Sequence, residues 1–311
     1  MDGAERPIWF LGDLDDPWVV SIAAALPESS GVHRLHNPGD LPERPFDGAR
    51  PPRVIVLHRN HLTGPDAERL AAWRDAKNPR PVPALILCIS PYVRYEELER
   101  WSRLVDLVLW EATARDVLPG QVDRLRDASQ VRGPAASDRG AVRIEVAAGD
   151  RELGLALVEA CRAAGYRAEA IEEREIGEGP RSRRPAASQG QRVLTIWEVP
   201  VLEPSWAHRL ERRALQTGPI LALAGFADRT IVAAARASGA TACLDLPCNL
   251  DDLLDVIDRI VCSTLKDDWP VPARLDPAHA LPPLPQRAAR RGNHPSAAQW
   301  PDRGPLPRIP P

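Results

Sequence analysis

The chain has 311 residues, of which 44% are hydrophobic, and its formal net charge at pH 7 is only −3. This length suits two domains of ordinary size, and the near-neutral charge provides no electrostatic signature for nucleic acid or an anionic membrane surface. Apolar stretches such as residues 82–89 are far shorter than the roughly 20 residues that span a bilayer. Residues 1–6 are polar and lack the apolar segment of a secretory signal. We therefore expect a cytoplasmic protein with neither a nucleic-acid nor a membrane partner.

Short apolar runs alternate with helix-like patterns in the first half of the chain. The runs predict five strands, at residues 8–12, 32–35, 53–58, 84–89 and 107–110. The intervening patterns predict four helices, at about residues 17–26, 65–76, 96–103 and 114–125. Thr113 is predicted to cap the last of these helices, with Asp116 three residues further on.

Two segments have the composition of irregular structure. Small, polar and turn-forming residues dominate residues 128–140, which predicts a linker between a first domain at 6–127 and a second at 141–265. Twelve of the 33 prolines lie between Pro270 and Pro311. Such a segment cannot bury enough apolar surface to offset its ordering entropy. We expect residues 266–311 to form a disordered, proline-rich tail with polyproline II character.

The second half repeats the plan of the first with clearer signals. Five strands are predicted, at residues 142–147, 166–171, 192–197, 219–224 and 242–246. Helices are predicted at residues 151–164, 206–216 and 228–238, and Asn249 is predicted to cap a last helix. Gly165 and Gly239 stand where residues that end helices belong.

The alternation of strands and helices defines a fold class. It requires parallel sheets that are covered on both faces, with right-handed crossover connections. We therefore expect an α/β fold with two flavodoxin-like (βα)5 domains, each a doubly wound parallel sheet, followed by the tail. The shared order of elements in the two halves indicates an internal duplication.

Two stretches of the second half resemble the receiver domain of the response-regulator family. Residues 239–254 read Gly-Ala-Thr-Ala-Cys-Leu-Asp-Leu-Pro-Cys-Asn-Leu-Asp-Asp-Leu-Leu, which looks like the family's Gly-Ala-x-x-Tyr-Leu-x-Lys-Pro run before a helix that begins Leu-x-Glu-Leu. Arg-Ile-Glu-Val at 143–146 is followed by Asp-Arg-Glu-Leu at 150–153, which opens a helix that closes with Ala-Gly-Tyr at 164–166. The resemblance covers residues 142–261 and is fainter in the first half.

The resemblance implies a set of positions for phosphoryl chemistry, at the carboxyl ends of the strands. In receiver domains an acidic pair holds Mg²⁺, an aspartate accepts phosphate, and a Ser or Thr and a Lys bind the phosphoryl oxygens. In the second domain the acidic pair corresponds to Ala148 and Gly149, and the acceptor to Trp197, or to Ile196 or Glu198 in a shifted register. The Ser/Thr position corresponds to Ala224, and the lysine position to Leu246, which precedes Pro247. The second domain thus resembles a receiver that has lost its acceptor and its lysine, a pseudo-receiver.

The first domain keeps part of an acidic cluster. Asp13 and Asp15 follow the first strand and are candidates for Mg²⁺, the one cofactor that the sequence suggests, although Asp15 and Asp16 also suit an ordinary cap of the helix that begins at Pro17. The remaining positions are His58 for the acceptor, Ser90 or Cys88 for the hydroxyl, and Trp110 or Glu111 for the lysine.

Two pairs of histidines are spaced three residues apart, His33 with His36 and His58 with His61. We expect both pairs near the ends of adjacent strands. Zinc could use such ligands, but no cysteine is nearby in the sequence, so we interpret them as surface histidines. His58 as a phospho-accepting residue is the alternative.

The resemblance implies a non-catalytic signalling or scaffold protein in or beside a two-component phosphorelay pathway. We expect protein partners, such as a sensor kinase, another signalling protein or a second copy of the chain. The expected docking face comprises residues 228–238, 242–246 and 250–261, with their counterparts in the first domain. The alternative is an enzyme or small-ligand-binding protein that reuses the flavodoxin-like crevice. That alternative requires a polar pocket where the sequence places Trp197 and Leu246.

Overall fold

The computed structural model describes residues 7–27, 31–36, 52–75, 83–126, 134, 136–172 and 192–266. All of them fall within one compact unit. Within these ranges, no helix is both long enough and apolar enough to cross a membrane.

The first half forms a sheet of five parallel strands. The strands are β1 (Ile8–Gly12), β2 (Val32–His36), β3 (Val54–His58), β4 (Ala84–Ile89) and β5 (Leu107–Trp110). They are joined in the order β2-β1-β3-β4-β5. The helices are α1 (Pro17–Ala24), α2 (Gly64–Asp75), α3 (Tyr95–Ser102) and α4 (Glu111–Arg126). Every residue of β3 is buried, since this strand lies between β1 and β4 and both faces of the sheet are covered.

The second half forms an equivalent sheet. A short helix, α5 (Ala136–Ala141), leads into it. The strands are β6 (Val142–Ala147), β7 (Arg167–Ile171), β8 (Arg192–Glu198), β9 (Ile220–Gly225) and β10 (Ala242–Leu246). They are parallel, in the order β7-β6-β8-β9-β10. The helices are α6 (Arg151–Ala163), α7 (Trp206–Thr217), α8 (Arg229–Ala237) and α9 (Leu250–Lys266).

The strand order confirms the predicted fold class. In each sheet the first and third strands are neighbours and the second lies outside the first, which is the flavodoxin-like order. Sheets of this kind place ligands beyond the carboxyl ends of the strands, where the strand order reverses. We call the region at the carboxyl ends of β1, β3 and β5 the first crevice, and the region at the carboxyl ends of β6, β8 and β10 the second crevice.

Helix α4 joins the two halves through apolar packing. Its residues Val117, Leu118 and Val122 belong to the same buried cluster as Val256 and Ile257 of α9. It also contacts β10 and α8. The face built from α8, β10 and α9, which the sequence suggested as a docking face, is therefore partly covered by α4 of the same chain.

Ion pairs surround this apolar contact. Arg124 donates to Asp255 from Nε at 2.8 Å and to Asp252 from Nη2 at 2.7 Å. Asp116 pairs with Arg236 of α8 and accepts a hydrogen bond from the backbone N–H of Cys243 in β10 at 2.8 Å. Because charged groups of α8 and α9 and a backbone N–H of β10 all bond to α4, these contacts specify its orientation on the second half as well as its burial.

Three local predictions are wrong. Helix α4 begins at Glu111, so Thr113 lies within it and does not cap it, and Asp116 binds the second half instead. Residues 136–140 of the predicted linker are helical, as part of α5. Strands β2 and β3 are not adjacent, because β1 lies between them, which separates the two histidine pairs. Residues 267–311 of the predicted tail and residues 128–133 and 135 of the predicted linker lie outside the described residues.

Candidate functional site

The first crevice contains a buried histidine and a buried glutamate. His58 ends β3 and is only 4% exposed, so its interpretation as a surface histidine is wrong. Its Nε2 lies 2.9 Å from Oε2 of Glu111, the first residue of α4, which directly follows β5. The carboxylate thus lies beyond the strand after which a receiver carries its lysine. Trp110, the other candidate for that position, packs against the apolar cluster on the opposite face of the sheet.

An arginine of the second half completes this crevice. Arg229, the first residue of α8, donates from Nε to Oε1 of Glu111 at 2.9 Å and from Nη2 to Oε2 at 2.7 Å. Its Nη1 donates to Oδ2 of Asp16 at 2.7 Å. All three guanidinium nitrogens are therefore engaged with carboxylates, two of them in the paired geometry that makes such bonds strong. We call His58, Glu111, Arg229 and Asp16 the crevice network.

Trp18 anchors the network from a third side. Its indole Nε1 donates to the backbone carbonyl of Glu111 at 3.1 Å, and the guanidinium carbon of Arg229 lies 5.8 Å from its ring centroid, a distance that allows cation–π attraction. Asp16 also caps α1 by accepting a hydrogen bond from the Trp18 N–H at 2.8 Å. The alternative role predicted for this part of the loop, a helix cap, is thus realised by Asp16.

The charges of the network support one another. Burial alone would raise the pKa of Glu111, but hydrogen bonds from His58 and Arg229 outweigh burial and lower that pKa. Burial alone would lower the pKa of Arg229, but its hydrogen bonds to Glu111 and Asp16 raise that pKa. The network is therefore an ion pair in which each charge stabilises the others.

The predicted Mg²⁺ ligands lie beside the network. Side-chain ligand atoms of Asp13, Asp15 and His36 lie within 4.8 Å of one another. However, the N–H of Leu14 donates to Nδ1 of His36 at 3.1 Å, which places the proton of the neutral ring on Nε2, the atom that faces Asp15. Asp16, the third carboxylate of this loop, accepts a hydrogen bond from Arg229. The donor set fits Mg²⁺ poorly, and binding at Asp13 and Asp15 stays a prediction.

The hydroxyl position of the first crevice has no role in the network. Cys88 is fully buried, and burial, with the nearby Glu111 charge, raises the pKa of its thiol to about 12. Ser90 follows β4, and its Oγ accepts a weak hydrogen bond from the N–H of Tyr92 at 3.4 Å. Among the hydrogen bonds of the described residues, those of His58 and Glu111 involve neither Cys88 nor Ser90.

The second crevice is lined differently. Trp197 is fully buried in the apolar core beneath α7, and Glu198 faces the crevice instead. The Glu198 carboxylate accepts hydrogen bonds from the N–H of Gly149 at 2.9 Å and of Asp150 at 3.4 Å. Since β1 pairs Leu11 with Leu57 and β6 pairs Ala147 with Trp197, Glu198 is the counterpart of His58. Of the three residues that the sequence allowed at the acceptor position, Glu198 is the one that faces the crevice.

The remaining receiver positions of the second crevice hold no phosphoryl-binding group. Ala224 is buried and Leu246 is half-buried against the core. Pro247 follows Leu246 through a cis peptide bond. Asp150, beside Ala148 and Gly149, caps α6 by accepting from the N–H of Leu153 at 2.8 Å.

One feature of this site was not predictable from the sequence. Arg229 lies 118 residues from Glu111, and no pattern in the sequence indicates that the two side chains meet. Composition agrees with the predicted lysine positions, because the chain contains only two lysines, Lys77 and Lys266, and neither follows the fifth strand of a sheet.

Comparison with known proteins gives distant structural similarity. No family model and no curated protein matches the sequence. The chain is similar to two solved structures described as two-component system response regulator/GGDEF domain proteins, with 12% and 13% identity, coverage of 85% of this chain and 100% of each of those, and TM-scores of 0.33. It is also similar to the C-terminus of E. coli RcsC, which contains a linker region and a phosphoreceiver domain, with 14% identity, coverage of 85% and 96%, and a TM-score of 0.31. The fold assignment rests on the strand order.

Proposed function

We propose that this chain is a non-catalytic signalling or scaffold protein, in which two receiver-like sheets have lost phosphoryl chemistry and act by binding other proteins in or beside a two-component pathway. The observation that carries the proposal is the crevice network, in which Arg229 of the second half fills the first crevice. A sensor kinase or another signalling protein is the proposed partner.

Phosphoryl transfer to the first crevice is opposed by charge. His58 at the acceptor position is buried and bonded to Glu111. A phosphoryl group there would lie beside the carboxylates of Glu111 and Asp16 instead of a lysine and a metal ion. Arg229 could neutralise it only by leaving both carboxylates unpaired, and unpaired buried charges are costly.

The second crevice opposes the same chemistry because its described receiver positions hold no cationic side chain. Glu198 supplies a carboxylate, but Ala224 and Leu246 stand where a hydroxyl and an ammonium group would bind the phosphoryl oxygens. Ala148 and Gly149 provide no side-chain ligand for Mg²⁺. A carboxyl phosphate on Glu198 would therefore be stabilised by neither of the usual groups.

The contact between the halves favours constitutive binding over a switch. A signal that moved the face of α8, β10 and α9 would have to break the ion pairs of Arg124 and Asp116 with the second half. Packed elements of this kind change state only when a ligand binds one arrangement much better than another. The proposed mechanism is recognition by a fixed surface.

Incubation of the full chain with acetyl phosphate and Mg²⁺, followed by intact mass measurement and assay of acid-labile phosphate, tests the proposal. We expect no incorporation, and none in Arg229→Ala, because opening the first crevice supplies no lysine. An active receiver domain, treated in parallel, is the positive control. Stoichiometric phosphate on an aspartate, His58 or Glu198 would overturn the proposal, as would turnover of a small ligand bound in either crevice.

A further inference from the structure

The carboxyl edge of the second sheet combines exposed apolar side chains with unneutralised carboxylates. Its described loops, residues 148–150, 199–205, 226–228 and 247–249, contain no lysine or arginine. We call these loops, together with Glu198, the acidic rim. Within it, Leu202 is 95% exposed and Phe226 is 89% exposed. Large apolar residues this exposed at one edge of a sheet suggest a recognition surface.

The carboxylates of the rim accept hydrogen bonds mainly from neutral donors. Asp150 and Glu198 accept from backbone N–H groups. Asp228 accepts from the N–H of Ile231 at 2.8 Å and from the hydroxyl of Tyr92 at 3.0 Å. Within the described part of the chain, Glu203 is the rim carboxylate that pairs with a cation, Arg209, at 3.0 Å. The rim therefore keeps a negative charge that attracts basic partners.

The backbone at Phe226 holds its ring outward under strain. Its φ is +55°, in the left-handed region that costs a residue with a β-carbon about 1 kcal/mol or more. Glycine or asparagine would adopt this backbone conformation with less strain. The phenyl ring is exposed, so its burial does not offset the cost of the strained backbone. Backbone strain at an exposed aromatic residue indicates that the ring serves binding to another molecule and not the stability of the fold.

Tyr92 extends the same surface onto the first half. It is exposed and lies in the loop after β4, and its bond to Asp228 brings it next to the loop of Phe226. Tyrosine and phenylalanine beside carboxylates suit arginine, which binds carboxylates and stacks on aromatic rings. The face of α8, β10 and α9 is partly covered by α4, whereas this edge is exposed at Leu202, Phe226 and Tyr92.

We infer that the acidic rim is the docking surface for a basic segment of a partner protein, which places arginines against the carboxylates and aromatic or aliphatic side chains on Leu202 and Phe226. This inference rests on the proposed function and specifies the chemistry of its partner. Arginine and aromatic residues are the side chains that most often carry binding energy in protein interfaces.

A displayed library of random peptides, about 16 residues long, tests this inference. The library is selected in parallel on the full chain, on the variant Leu202→Ser/Phe226→Asn, and on the control Leu155→Ser/Leu215→Ser. Asparagine tolerates the left-handed backbone, so the rim variant keeps its fold, which circular dichroism checks. The control removes two exposed leucines that lie outside the rim loops, Leu155 in α6 and Leu215 in α7.

We expect peptides rich in arginine and aromatic or aliphatic residues to be enriched on the full chain and on the control, but not on the rim variant. A synthetic peptide from the selection should bind the rim variant at least about tenfold more weakly, and its affinity should fall with added salt. Enrichment of acidic or uncharged peptides, or equal binding to the rim variant, would overturn the inference. So would absence of enrichment, or a dimer in sedimentation that Phe226→Asn dissociates, since the occupant would then be a second copy. Phosphate incorporation contradicts only the proposed function, and the peptide result is independent of it.

Discussion

The two crevices have the same strand order but are filled by opposite means. In the first, three carboxylate-binding nitrogens of Arg229 and a buried His58–Glu111 pair fill the space with compensated charge. In the second, Trp197 and Leu246 add apolar bulk to the core, and Glu198 bonds to backbone N–H groups of its own sheet. The first crevice depends on Arg229 of the other half, whereas Glu198 in the second bonds to backbone groups of its own half.

This difference shows that two sheets with the same strand order can be closed at their carboxyl edges in two ways. A site at the carboxyl edge of a sheet contributes little to the core, so its side chains can change while the strands keep their register. Where the second half packs against the site, as at Arg229, charge complementarity becomes part of the interface. In the second crevice, Leu246 at the end of β10 extends the core instead.

The largest expected effect comes from Trp197→Ala, which removes the apolar bulk beneath the second crevice. We expect a loss of about 4 kcal/mol in the free energy of unfolding, because a fully buried indole is replaced by a cavity. Trp197→Phe is the matched control, and should cost roughly 1 kcal/mol, since it keeps a ring and removes a buried Nε1 without a hydrogen-bond partner. Urea unfolding followed by circular dichroism measures both. If Trp197→Phe lost as much stability as Trp197→Ala, an aromatic ring at this position would not contribute to core packing.

Arg229→Ala tests the first crevice by the corresponding deletion. We expect a loss of roughly 2–3 kcal/mol, because Glu111 and Asp16 lose their shared cation in a buried setting. The value lies at the low end for buried pairs, since the Arg229 side chain is 33% exposed. Arg103→Ala, which breaks an exposed pair with Glu99, should change stability by less than about 0.5 kcal/mol. If the two variants lost the same stability, the crevice network would be no more than a surface ion pair.

The pH dependence of stability isolates Glu111 from the rest of the first crevice. Its pKa is lowered in the folded chain, so the stabilisation that it provides is present above the pKa of about 4.3 that it has when unfolded. That stabilisation is lost as pH falls through the lower folded pKa. We expect the stability of Glu111→Gln to be lower than that of the unmodified chain at pH 7 and the two to converge below about pH 4. Parallel curves of unfolding free energy against pH would contradict this expectation.

Phe226→Gly gives the smallest expected effect, and a favourable one. We expect a gain of roughly 1 kcal/mol, because glycine adopts the φ of +55° without strain. Phe226→Ala keeps the β-carbon and should leave stability nearly unchanged, since the phenyl ring is exposed. Thermal unfolding distinguishes the two variants. If both variants were more stable than the unmodified chain, the gain would come from removing the phenyl ring and not from relieving backbone strain.

Most elements of the fold were predictable because local pattern determines them. The strands Ile8–Gly12, Ala84–Ile89 and Ala242–Leu246 have the predicted bounds, since continuous apolar runs between turn residues are typical of buried parallel strands. The start of α4 was not predictable in this way. Glu111 follows Trp110 without an intervening loop, and no capping residue marks the boundary.

The sequence by itself determined the two (βα)5 patterns and the scarcity of lysine, with two in the whole chain, since each of these is a local or compositional property. Only the tertiary structure decided that Glu198 and not Trp197 faces the second crevice, because within an apolar run the register depends on which face packs on the core. Likewise, only the packing of α4 between the halves brings Arg229 to Glu111 across 118 residues. Charge pairing at that separation depends on how two sheets are assembled, and no periodicity in the chain encodes it.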